Sequence, residues 1–200
     1  EDPVNAVGLA GLECQRLIAA LPQLLPDLDT DDENAAAARR SLLAGHGNVA
    51  SQIAAFLMAL MARGPARKDL GRALQEQSML ENLQALQETL GAFGAIIDGW
   101  RERPALLFNL SEGLRTLVSL LADTAGDAAA DADHLDLLIR LTGDRSEMLE
   151  QRRRQLTQSD EHDGARMQDL LAAMRLFERA VWLVHRMALA KAAAGQPMNG

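Results

Sequence analysis

The chain has no Tyr, a single Cys, and only six aromatic residues among 200: Phe56, Phe93, Phe108, Phe177, Trp100 and Trp182. With Cys14 alone, no disulfide framework can form, and a chain of this length can bury a sizeable core without one. The shortage of aromatics argues against a β-sandwich or barrel, whose strands favour aromatic and β-branched side chains. Basic residues are also in short supply, 20 Lys and Arg against 28 Asp and Glu, for a net charge of −8. Residues 1–100 carry 7 basic and 13 acidic side chains, and residues 101–200 carry 13 and 15, so neither half is basic. The one dense basic run, Arg152, Arg153 and Arg154, falls near an expected helix end, where cations complement the helix dipole. A nucleic-acid partner, which calls for a basic face, is therefore not expected. On this reading no apolar stretch reaches the roughly 20 residues that cross a bilayer. The longest, Val49 to Ala62, is interrupted by Ser51 and Gln52 and reads as a core helix. No signal-peptide pattern opens the chain, and because it begins at Glu1 it reads as a piece of something longer.

What is abundant is Ala and Leu with Gln, Arg and Glu, all good helix formers. Composition thus predicts an all-α protein, and Pro and Gly divide it into six helices. The first is expected from Pro3 to Leu25, closed by Pro26, with Val7, Cys14, Leu17, Leu21 and Leu25 on its apolar side. An acidic linker, Asp27 to Asp32, follows, in which Thr30 and Glu33 have capping-box spacing. The second helix extends to Arg63, with Val49, Ile53, Phe56 and Leu60 on one face and Gly45 and Gly47 expected to loosen its middle. The third runs to Arg103 and carries Leu83, Leu86, Leu90, Phe93, Ile97 and Trp100 at alternating steps of three and four, the spacing of a bundle seam. After Pro104 the fourth repeats it with Leu107, Leu110, Leu114, Leu117 and Leu121, then fades in the Ala/Asp-rich stretch from Asp123 to Asp133. A fifth, Ala132 to Leu156, carries Leu135, Leu138, Leu141, Met148 and Leu149, with Gly143 as a possible break. The sixth, Asp160 to Ala194, has Ser159 as N-cap and Leu170, Met174, Phe177, Val181, Val184 and Ala188 on one side. The expected domain is residues 1–194, in a first half 3–103 and a second half 104–194, with a disordered tail, 195–200. Each half has about the length of a three-helix bundle.

Chemistry-bearing patterns are sparse. A di-iron carboxylate bundle needs paired Glu-x-x-His motifs, and none of the four His has a Glu three residues upstream. Asp131 with His134 is the nearest match, and it is single. His46, His162 and His185 read as surface or boundary residues, with His162 in an exposed acidic helix start beside Glu161 and Asp163. Cys14 reads as a small core side chain rather than a nucleophile. Met58, Met61 and Met79 read as core filling, with an adaptable binding surface as the other use of such residues. No phosphate loop, G-x-S-x-G or C-x-x-C occurs. Nothing assembles a nucleophile, a base and an oxyanion hole, so no catalytic residue is assigned and an enzyme is not expected.

Three stretches resemble a known family. Pro3-Val4-Asn5-Ala6 leads into a helix with Glu13, Arg16 and Leu17. Met79-Leu80-Glu81-Asn82-Leu83 lies in the third helix. Leu141-Thr142-Gly143-Asp144-Arg145-Ser146-Glu147-Met148 leads to Arg152 and Arg153 and is followed by Leu176-Phe177-Glu178-Arg179-Ala180-Val181-Trp182-Leu183. Across nearly the whole chain these are similar to the PhoU-like family, specifically the soluble domain that follows the membrane part of bacterial sodium/phosphate cotransporters. The resemblance implies two three-helix bundles. It places Glu81, Asp144, Arg145, Glu178, Arg179 and Trp182 at family-motif positions, with no role assigned to them. PhoU proteins proper hold metal clusters through E/D-x-x-x-D motifs. Here Glu81 and Glu178 match the first acid, while Ala85 and Trp182 stand where the second would be, so no metal and no cofactor are expected. Trp182 is then expected to fill space between helices.

The function implied is a non-catalytic regulatory domain for sodium-dependent phosphate transport, on the cytoplasmic side of the bacterial inner membrane. Its expected partner is the transmembrane portion of the same polypeptide or another phosphate-transport protein, with a homodimer also open. The alternative is a freestanding PhoU-like metal-binding regulator of phosphate uptake.

Overall fold

The computed structural model describes residues 3–27, 33–64, 66–125, 128–143 and 164–195. Among these there are six α-helices, one 3-10 turn and no strand. The helices are α1 (Pro3–Ala19), α2 (Glu33–Ala62), α3 (Arg67–Asp98), α4 (Ala105–Asp123), α5 (Ala128–Gly143) and α6 (Gly164–Gly195), and the all-α expectation holds.

The first helix is shorter than expected, and Pro22 is the reason. A proline at that position lacks the N–H that would bond to Ile18, and its ring would clash with the Ile18 carbonyl. The chain tightens instead into a 3-10 turn over Leu21–Leu24, with Gln23 N–H bonding to Ala20 O at 3.1 Å. Leu21, Leu24 and Leu25 remain buried, so the turn still serves the core. Neither Gly45 nor Gly47 interrupts α2, which ends before Gly64; that glycine takes φ +67°, the left-handed geometry that closes helices. At Asp98, five residues earlier than expected, α3 ends: Gly99 N–H bonds to Ile96 O at 3.1 Å as the last turn tightens. Pro104 then occupies the N-cap of α4. α5 starts four residues before the expected Ala132 and is described as far as Gly143. Thr30, Met148, Leu149, Arg152, Arg153, Arg154, Ser159, Asp160 and His162 lie outside the described residues, as does the side chain of Glu33.

α3 and α6 form the central pair, with α1 and α2 packed on α3 and α4 and α5 packed on α6. The two run antiparallel: Arg166 at the start of α6 lies over Trp100, just past the end of α3, 4.9 Å from its ring centre. Every expected seam residue on α3, α4 and α6 is buried, with Leu83, Leu86, Leu90, Phe93, Ile97, Leu107, Leu110 and Leu114 fully so. Each such side chain contributes on the order of 1.5–3 kcal/mol by leaving water. Two close approaches fix the neighbours of α3. Leu43 sits over Gly91, and Pro26 over Gly94, where a β carbon would meet Pro26 Cγ at 3.5 Å. Arg115 of α4 secures the same loop by donating to Pro26 O at 2.5 Å, and Arg39 of α2 pairs with Asp98 at the end of α3.

On α2 the buried face differs from the expected one. His46, Ala50, Ile53, Leu57 and Leu60 face inward, while Val49 and Phe56 are 38% and 41% exposed. His46, expected near the surface, is thus a seam residue. Between Arg40 and Arg63, α2 carries 22 consecutive residues, Ser41 to Ala62, with no Asp, Glu, Lys or Arg. Residues 34–62 and 105–123 are both long and apolar enough to cross a membrane by length and composition. In α4 the leucine stripe accounts for this and is buried. In α2 only 22% of the most apolar window is buried, so the reading of this stretch as a core helix holds for its inner face alone.

Candidate functional site: a cavity between α1, α3 and α6

The family-motif positions do not converge on a centre. Glu81 is exposed on α3 and accepts a bond from Gln77 Nε2 at 3.1 Å. Glu178 is half-buried on α6, Arg179 is exposed, and no hydrogen bond or ion pair joins either of them to Glu81. Trp182 does not fill space between helices: it is 41% exposed, and Arg186, one turn on, lies over its ring at 4.8 Å. A side chain this large at a surface position is held by its own helix through a cation–π contact. Asp144 and Arg145 lie outside the described residues. Among the described residues no group of three or more His, Cys, Asp or Glu is placed to hold a metal. His134 is half-buried, and nothing is described of the Asp131 side chain. His185 ties α6 to α5 through Thr142 Oγ1 at 2.8 Å, and Thr142 in turn donates to Leu138 O at 2.5 Å. Because the threonine hydroxyl hydrogen is used on Leu138, His185 Nδ1 supplies the hydrogen between them.

The polar groups that do meet lie elsewhere. A cavity of about 460 Å³ opens between α1, α3 and α6, lined on α1 by Gly11, Cys14 and Ile18 and on α3 by Glu76 and Met79, with Ala190 and Lys191 from α6. The seam spacing of α3 continues upstream as Ala73, Glu76, Leu80 and Leu83, so helical geometry turns the Glu76 carboxyl inward. Lys191 likewise continues the α6 series Val184, Ala188. Two charged side chains thus stand at seam positions of the central helices. Gly11 makes room for one of them, since a β carbon there would lie 3.1 Å from Glu76 Oε1.

Electrostatics distinguish the three ionisable groups. Burial pushes the Glu76 carboxyl above its ordinary range, against a smaller opposing pull from Arg72 and Lys191. The Cys14 thiol is pushed up to about 12, chiefly by burial and further by the carboxylates of Glu76 and Glu13. It is therefore a neutral wall, as the sequence implied for a core cysteine. Lys191 donates its ammonium to Thr124 O, where α4 ends and a cation is favoured by the helix dipole. Among the described residues no donor lies within hydrogen-bond or ion-pair distance of the Glu76 carboxylate.

No family model, curated protein or solved structure matches this chain.

The arrangement offers a carboxyl, a protonated thiol and a committed ammonium around an apolar space, with Gln15, Gln75 and Ser78 along its edge. Such a set can hold a ligand by charge, hydrogen bonding and shape. It supplies no activated nucleophile, because the thiol stays protonated. Residue type alone does not single out Glu76 and Lys191, although their positions in the three-and-four spacing are a usable signal.

Proposed function

We propose that the chain is the non-catalytic interaction domain of a sodium/phosphate cotransporter-like membrane protein. In this reading α1–α3 and α4–α6 are its two PhoU-like bundles, and it acts by contact on the cytoplasmic side of the membrane. The observation that carries it is the outer surface of α2. An exposed helix face ordinarily bears charges, yet α2 has none from Ser41 to Ala62, a length of about 33 Å. Val49 and Phe56, two turns apart, stand exposed along one flank of its buried seam. A surface without ionised groups is desolvated at little cost, which suits it to contact with an apolar partner. Arg40 and Arg63, both exposed, flank the run, matching the polar boundary of a membrane-embedded partner. The packing of two preceding helices on each of α3 and α6 further supports the two-bundle reading.

Contact regulates transport only if the domain binds two transport states with different affinity, a tenfold difference corresponding to about 1.4 kcal/mol. Sodium-dependent phosphate uptake by the parent protein, measured with and without residues 1–200, tests the proposal. Altered flux or altered response to external phosphate is expected, and identical behaviour would sink it.

A further inference from the structure

The carboxylate of Glu76 faces a cavity of about 460 Å³ and has no hydrogen-bond or ion-pair partner among the described residues. The Glu76 side chain is half-buried at a seam position, so its carboxylate stands at the cavity as an acceptor open to a donor. Lys191, the nearest cation on the opposing helix, has its ammonium on the Thr124 carbonyl. Arg72, one turn upstream, is exposed on α3. Around the carboxylate the wall is apolar, formed by Ile18, Met79, Ala190 and Ala194 with the protonated Cys14 thiol.

We propose that this cavity binds a small organic amine, whose ammonium is held by Glu76 and whose apolar body lies along Ile18, Met79 and Ala190. A metal ion is a poor match, since among the described residues Glu76 is the only carboxylate lining the cavity and the thiol is protonated. At that spot an organic acid is disfavoured by repulsion from Glu76, while Lys191, the other charge on the lining, has its ammonium on the Thr124 carbonyl. The volume falls within the range of about 300–1,000 Å³ usual for small-molecule sites. Gly11 is part of the device, because a side chain there would take the space that the carboxylate and the ammonium need. Burial holds the Glu76 carboxyl above its ordinary range while the site is empty, and an arriving cation favours its ionised form. The inference is independent of the transporter reading, since it concerns the isolated chain alone.

The test is isothermal titration calorimetry on the 200-residue chain with 4-phenylbutylamine, and with 4-phenylbutanol and 4-phenylbutanoate as probes of the same apolar body. The amine should bind saturably at one per chain and at least tenfold more tightly than the alcohol, with the acid not binding. Glu76→Gln should weaken the amine at least tenfold and leave the alcohol unchanged, and Gly11→Leu should abolish both. Should Gly11→Leu fail to fold, Ala194→Phe closes the cavity from the opposite wall. No saturable binding of the amine, acid binding as tight as amine binding, or an amine affinity untouched by Glu76→Gln would each overturn the proposal.

Discussion

Leu43 of α2 rests on Gly91 of α3 so closely that a β carbon at Gly91 would lie 2.4 Å from Leu43 Cδ2. This contact sets how near the two helices approach. Gly91→Val is expected to destabilise the fold by about 1–3 kcal/mol, the usual cost of overpacking. Gly45 lies in the same α2 with open space around it. Gly45→Ala should therefore stabilise by about 0.5–1 kcal/mol, from helix propensity alone. Urea unfolding of the two variants checks both signs.

Phe56 and Leu57 are chain neighbours with opposite environments, 41% exposed and fully buried respectively. Leu57→Ala is expected to cost about 2–5 kcal/mol through loss of burial and the cavity left behind. Phe56→Ala should stay within about 0.5 kcal/mol of the parent, as surface changes do. Equal costs would mean that α2 is rotated from the orientation described.

That pair also marks where the sequence was legible and where it was not. The seams of α3, α4 and α6 could be read residue by residue, because long unbroken runs of three-and-four spacing admit one register. On α2 two registers obey the same spacing: 49, 53, 56, 60 and 46, 50, 53, 57, 60. Choosing between them depends on the partner surface, here Gly91 receiving Leu43, and not on hydropathy. His46 reads as surface or boundary for a related reason, since a polar residue in a seam looks like surface until its neighbours are known. Pro22 truncated α1 by a local rule that was available from the start. Glu76 could have been found as a charge in register with Ala73 and Leu80, whereas Lys191 and Gly11 join it only through the packing of three helices.

Stability should depend on pH through two groups of opposite sign. Glu76, raised above its ordinary 4.5 by burial, holds more protons folded than unfolded, so its contribution weakens stability as pH rises from 4.5 through the raised value. His46, lowered below 6.5 by burial, holds fewer protons folded than unfolded, so its contribution weakens stability as pH drops below 6.5. Its Nδ1 is buried without a partner, so His46→Leu leaves no group unsatisfied. Denaturant midpoints measured from pH 4.5 to 8 should show a smaller acid-side loss in His46→Leu. In Glu76→Gln the decline toward neutral pH should shrink, and stability at pH 7 should rise.

Cys14 is 2% exposed, and its thiol is raised from 9.0 to about 12. The thiolate fraction at neutral pH is then smaller by about three orders of magnitude, and thiol reagents attack only the thiolate. Reaction of the native chain with an aromatic disulfide reagent should accordingly be at least a hundredfold slower than reaction of the unfolded chain. Comparable rates would contradict the burial of α1 against α3.

The central claim is that the charge-free face of α2 meets a membrane transporter, and one measurement addresses it most directly: sodium-dependent phosphate uptake by the parent protein carrying Phe56→Glu. Phe56 is exposed, so the substitution leaves the helical fold intact, which circular dichroism of the isolated chain verifies. A charge on that face should be costly to bury in the contact, and uptake should shift toward the behaviour of the protein lacking residues 1–200. Uptake identical to the unaltered parent, with the fold preserved, would contradict the account.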